Sequence, residues 1–324
     1  MPQKHRVRNW SAYNTSLVKR GDISLYFERR FFESQWCFKG KQKAGGQRKY
    51  SDAAIEAILS IKYVLRLPLR QVQGFVESLI KNLKLDIVVP DYSTVSRRAK
   101  SLRVQVKQYG KIKHGDSLHL LLDSTGLSVY SGSYFHTNKH LKNRLHKKAH
   151  SWKKLHIACD LKSLQVMNAC LTDSTVQDAA TVEKLVDLPG KTISSITADK
   201  AYDRKACYRR AYQLGAKPIF PPIKSAVTQK TRRHRYDEAL KLRDEAITFI
   251  RKHASYEEGI KKWKQDIGYH KRSHIEAINH RFKRAFGFTF NAKLDETRNT
   301  EVIIKLNILN RQMALGGAIF EVAS

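Results

Sequence analysis

A chain of 324 residues, 41% of them hydrophobic, is long enough for about two domains with a buried core. Its 61 Lys and Arg against 29 Asp and Glu leave a formal charge of +32, a self-repulsion that a polyanion would neutralise. Nucleic acid is the candidate, because phosphate contacts release counterions and so reward basic surface. No apolar run reaches the ~18 residues of a membrane span, and MPQKHRVRNW has no signal-peptide core. Cys37, Cys159, Cys170 and Cys207 form no CxxC pair and read as reduced, mostly buried thiols. The expectation is a soluble cytoplasmic protein in the compartment that holds DNA, with no membrane partner.

Residues 1–50 are mixed and basic and end in KGKQKAGGQRKY, which suits either a segment near phosphates or a solvated loop. From Ser51 to about Leu102 the periodicity is helical. Ser51 and Asp52 can cap AAIEAILSIKYVLRL, Pro68 stands near the first turn of PLRQVQGFVESLIKNL, and Asp91 or Ser93 can cap a third helix through STVSRRAKSL. The third helix carries Arg97, Arg98 and Lys100. Residues 51–115 therefore read as a helix-turn-helix-like DNA-binding region, or as a plain bundle with a charged outer face.

From about Ser117 the pattern changes to strands. SLHLLLDSTG is an apolar strand ending in an acid, with LSVYSGSYF as its hairpin partner; KLHIACD and LQVMNACLT pair around LKS. TVQDAATVEKLVDL is helical, with Thr175 or Asp178 as cap, and SSITADKAYD is another strand ending in an acid. DRKACYRRAYQLG is a helix capped by Asp203 and stopped by Gly215, and AKPIFPPI is a last short strand. This is the order of a ribonuclease H-like α/β core, a mixed sheet flanked by helices, expected over residues 116–324 with a helical insertion near 230–266.

Asp123 and Asp199 each sit at the carboxyl end of a buried strand, where open α/β sheets bind ligands. Two carboxylates there repel unless a cation lies between them. Further on, YHKRSHIEAINHRFK places Ile275, Ile278, Phe282 and Phe286 on one side of a helix and Arg272, Glu276, His280 and Lys283 on another. Alone, the Arg272–Glu276 spacing reads as a surface pair worth about 0.3–0.5 kcal/mol. Beside two strand-end aspartates, Glu276 reads as the third oxygen ligand of one or two Mg²⁺ ions, a site suited to in-line attack on phosphodiesters.

ITADKAYD, together with the spacing of Tyr269, Arg272, Glu276 and Lys283, resembles the signature of DDE transposases of bacterial insertion sequences, nearest to the family called insertion sequence five. YNTSLVKRGDISLYF, SWKKLHIACD and PIFPPIKSA also resemble that family. The resemblance implies a catalytic and metal-binding triad of Asp123, Asp199 and Glu276. It implies that Tyr269, Arg272 and Lys283 position the DNA, and that Mg²⁺, two ions with Mn²⁺ as a substitute, supports end cleavage and strand transfer. The implied partners are double-stranded terminal inverted repeats and target DNA, bound by a homodimer on paired ends in a bacterial, nucleoid-associated setting.

Other readings stand beside these. His136, His140, His146 and His150 fall at spacings that zinc could use, but lysines and arginines among them favour a basic loop on phosphates. Asp160 and Asp173 also follow strands and are rival ligands. Trp263 either stacks on an unpaired base or packs in a core. A catalytically inactive DNA-binding protein derived from a transposase, and a ribonuclease H-like nuclease, are the alternative functions.

Overall fold

The computed structural model describes residues 5–26, 29–41, 47–110, 116–129, 152–229 and 236–322. In chain order they form β1 (His5–Val7), α1 (Trp10–Lys19), α2 (Arg29–Gln35), α3 (Asp52–Leu65), α4 (Leu69–Asn82), α5 (Tyr92–Ser101), β2 (Leu118–Ser128), β3 (Trp152–Asp160) and β4 (Val166–Asp173). They continue with α6 (Val182–Leu185), β5 (Ile193–Thr197), α7 (Lys205–Gln213), β6 (Lys217–Ile219), α8 (Lys241–Arg251), α9 (Tyr256–Asp266), α10 (Ser273–Phe286), α11 (Asp295–Ala314) and β7 (Phe320–Val322). Among the described residues no helix is long and apolar enough to cross a membrane. The chain packs as two compact units, Met1–Gly110 with Asn291–Ser324, and Lys111–Phe290.

The first unit is helical. Ser51 caps α3 by accepting from the N–H of Ala54 at 2.9 Å, and Asp91 caps α5 by accepting from Ser93 at 2.8 Å. Ile55, Ile58, Leu59, Val72, Val76 and Val95 fill the space between these helices. The C-terminal helix α11, which periodicity grouped with the strands, packs here against α3 and α5. Its buried polar residues have a reason: the segment after α5 is irregular, so its backbone needs partners. Asn307 accepts from the Lys107 N–H at 2.8 Å and donates to the Gln105 carbonyl at 3.0 Å, and Asn310 donates to the Lys107 carbonyl at 2.9 Å.

The second unit holds one five-stranded sheet in the order β4-β3-β2-β5-β6. The first three in that order are antiparallel neighbours, whereas β2, β5 and β6 run parallel. This mixed sheet with flanking helices is the ribonuclease H-like α/β fold. Leu118, Leu120, Leu122 and Ile196 pack from the strands against Val182, Leu185, Tyr208 and Ala211 of the helices.

Three local expectations are corrected. Strand β2 does not turn at Gly126 but pairs with β3 without interruption as far as Ser128. The helix expected over 175–188 is one 3-10 turn, Asp178–Thr181, followed by the short α6. Asp178 caps nothing there, because its carboxylate is taken by Ser124 Oγ and Lys154 Nζ, each at 3.0 Å. Asp203 is not the cap of α7, whose N-cap is Arg204. It is fully buried and accepts from Arg243 Nε at 2.6 Å and from the Ile223 N–H at 2.9 Å.

Candidate catalytic site

The sheet register brings Asp123 and Asp199 to neighbouring strands. Asp123 does not end its strand, as the sequence suggested, but lies midway along β2, which pairs on to Ser128. Leu121 of β2 stands opposite Thr197 of β5 in a parallel pair, so Asp123 lies beside the point where the chain leaves β5 toward Asp199. Asp199 lies just past the end of β5 and caps the next turn by accepting from the Ala201 N–H at 2.8 Å. Tyr269 pins this strand end: its hydroxyl donates to the Ala198 carbonyl at 3.2 Å. Burial, offset by Arg272 and reinforced by the nearby acids, pushes that hydroxyl up to about 12.

Helix α10 carries the remaining groups. Ile275, Ile278 and Phe282 are buried, which orients the helix and leaves Glu276 58% exposed along its side chain. Arg272, in the turn before α10, donates through Nη1 to Glu276 at 2.5 Å and through Nη2 to Asp123 at 3.2 Å. The other Asp123 oxygen accepts from Asn279 Nδ2 at 3.0 Å. The Asp123 carboxyl titrates above the ordinary carboxylate range. Burial is the main cause, Arg272 and the Ser124 N–H oppose it, and the charges of Asp199 and Glu276 add to it.

Among the described residues no group of three His, Cys, Asp or Glu side chains stands as a ready metal cage. The donor set nevertheless fits a hard divalent cation. One guanidinium already spans Asp123 and Glu276, so those two acids converge on a single positive centre. Burial, to which the charges of Asp199 and Glu276 add, disfavours the Asp123 carboxylate, and a divalent cation beside it would offset that cost.

Two family models match the chain, each described as a transposase DDE domain, one over residues 18–132 and the other over residues 114–310. The chain belongs to the DDE transposase family. It is a DNA-cutting enzyme of the transposase kind, and DNA is its partner.

The other residues singled out in the transposase sequence fall in several places. Lys283 is half-buried, about two turns beyond Glu276 on α10. On α5, Arg97 and Lys100 are exposed, whereas Arg98 is tied to the Asp52 carboxylate and the Tyr50 carbonyl. Asp160 closes the β3–β4 turn by accepting from the N–H of Ser163 at 2.7 Å, and Asp173 pairs with Lys153 at 2.8 Å, so both rivals have structural partners. Trp263 is only 8% exposed and packs with Ala246 and Ile250. Its burial favours the core reading of this ring over base stacking. His136, His140, His146 and His150 lie outside the described residues.

Sequence reasoning missed Asn279. An amide on the buried face of α10, between Ile278 and Phe282, is the signal that could have found it: a polar residue kept where an apolar one would pack.

Proposed function

We propose that this transposase cuts DNA at the ends of an insertion sequence and joins the freed 3′ ends to target DNA, with Asp123, Asp199 and Glu276 as its catalytic acids. The observation that carries this reading is the convergence of Asp123 and Glu276 on the Arg272 guanidinium, beside the strand end that bears Asp199. Asp123, Asp199 and Glu276 would hold a divalent metal, Mg²⁺ with Mn²⁺ as substitute, which would supply Lewis-acid activation of the phosphodiester and of the attacking hydroxyl.

The chain's own side chains do the rest. Arg272 holds the acids in place before DNA arrives and offers a planar, bidentate donor to a phosphate when the strand enters. Lys283 adds a point charge on the same helix. Tyr269 fixes the backbone that leads into Asp199. In cleavage, a water oxygen bonds to phosphorus as the P–O3′ bond breaks, leaving a 3′-hydroxyl and a 5′-phosphate. In joining, that 3′-hydroxyl attacks a target phosphodiester in the same way. Arg97 and Lys100 contribute phosphate contacts from the helical N-terminal region, and two copies act on paired terminal repeats.

The test is incubation of the purified protein with a plasmid carrying the DNA that flanks its gene, with Mg²⁺, with Mn²⁺ and with EDTA, beside the Asp199→Ala and Glu276→Ala variants. Metal-dependent nicks at defined ends, absent from both variants, are expected. Footprinted binding at those ends without cleavage would make the protein an inactive binder, and cleavage with no end preference would make it a nuclease.

A further inference from the structure

Asn279 is 8% exposed, on a helix face otherwise made of Ile275, Ile278 and Phe282. Its Nδ2 donates to Asp123 Oδ2 at 3.0 Å, across 156 residues of sequence, while its Oδ1 is buried with no hydrogen-bond partner. A buried amide acceptor without a partner costs free energy that an aliphatic side chain of similar volume would avoid. The residue therefore works against packing, and what it gains in return is a fixed donor on one catalytic carboxylate. Its place in the helix adds to this. Asn279 lies one turn from Glu276, so a single hydrogen bond ties the helix that carries one acid to the strand that carries another.

The two oxygens of Asp123 are consequently unlike. Oδ2 is held by a neutral amide whose own position is set by the packed helix. Oδ1 is held by Arg272, which is shared with Glu276. A phosphate that drew Arg272 away would free Oδ1 and leave the Asn279 bond to Oδ2 in place.

We propose that Asn279 is a positioning residue for the transposase reaction: it clamps Asp123 to the catalytic helix and keeps one carboxylate oxygen aimed at the divalent cation site. The unpartnered Oδ1 of its amide is the acceptor for a water held beside that site. This inference rests on Asp123 and Glu276 acting as metal ligands, as proposed above.

The test uses the full-length protein and Mn²⁺ as probe, with binding read by electron paramagnetic resonance in the absence of DNA and end cleavage read separately. Asn279→Leu keeps the volume and removes the donor. It is expected to weaken Mn²⁺ binding and to slow cleavage by about 10- to 100-fold, with DNA binding and thermal midpoint close to wild type. Mn²⁺ binding and cleavage equal to wild type would overturn the proposal and leave Asn279 as filler. If that variant does not fold, Asn279→Ser carries the test, because its shorter side chain does not reach Asp123 Oδ2 and adds no charge. Its Mn²⁺ binding and cleavage are expected to fall as for Asn279→Leu, whereas both at wild-type level overturn the clamp. Asp199→Ala is the control for the metal reading. Mn²⁺ binding unchanged by Asp199→Ala would remove the metal site itself, an outcome distinct from a failure of Asn279→Leu alone.

Discussion

The catalytic unit contains two Asp–Arg assemblies whose construction is opposite. Asp203 is fully buried and accepts from Arg243 Nε and Nη2, from the Ile223 N–H and from the Tyr208 hydroxyl, while Arg243 also reaches the Val227 carbonyl. Among the described residues, Asp123 receives Arg272, Asn279 and its neighbour's N–H, beside two like charges, and Arg272 Nε and Asn279 Oδ1 have no hydrogen-bond partner. A buried charge pair with all of its bonds made holds a fold in one state. A pair left short of bonds and crowded with acids is the arrangement expected of a functional site, in keeping with the role proposed above for Asp123.

That contrast can be broken by measuring stability and cutting separately. Asp203→Ala strands Arg243 in the interior and should cost about 3–5 kcal/mol in a urea melt, with cleavage per folded molecule falling less than tenfold. A loss under about 1 kcal/mol would mean that the two assemblies do not differ as described. Trp263→Ala should cost about 3 kcal/mol by opening a cavity among Ala246 and Ile250. An unchanged melt with reduced binding of single-stranded DNA would return that ring to base stacking.

Effects on stability then shrink while effects on chemistry grow. Arg272→Ala should cost about 1–2 kcal/mol, since Asp123 keeps Asn279, yet should slow cleavage by at least about 100-fold. Glu276→Gln, at an exposed position, should leave the melt within about 0.5 kcal/mol of wild type while abolishing detectable nicks. The smallest expected effect is on pH dependence in EDTA. Because the Asp123 pKa is raised by folding, its contribution to stability is full below the usual value of 3.8 and is lost as pH rises through the raised pKa. Asp123→Asn removes that loss, so the variant should gain on wild type between pH 4 and 7, read from paired thermal melts.

The same contrast explains what the sequence could tell. Asp123 and Asp199 stand out in the sequence because each follows an apolar run, and Glu276 because helical spacing puts it beside Arg272 on one face; their role as a triad is the proposal made above. Asp203 was misread because an acid before a helix usually caps it, and its partner lies 40 residues further along the chain. Asn279 carries no charge and no motif; its meaning comes from a contact across the fold. Helix α11 shows another limit. Its Glu301, Lys305, Asn307 and Asn310 are buried, the two asparagines against backbone from around Lys107. Periodicity reports the face of a helix, not which distant segment will cover it.

That placement of α11 has a consequence for biosynthesis. The first unit is completed by Asn291–Ser324, so translation must finish the entire catalytic unit before the helix that closes the N-terminal core exists. A nascent chain that stops shortly before Asn291 would already contain the five-stranded sheet and helix α10, with Asp123, Asp199 and Glu276, while its N-terminal helices lack one partner. The N-terminal helices therefore gain one of their packing partners only once α11 has been made, and late truncation is expected to weaken that core before it reaches Asp123, Asp199 or Glu276.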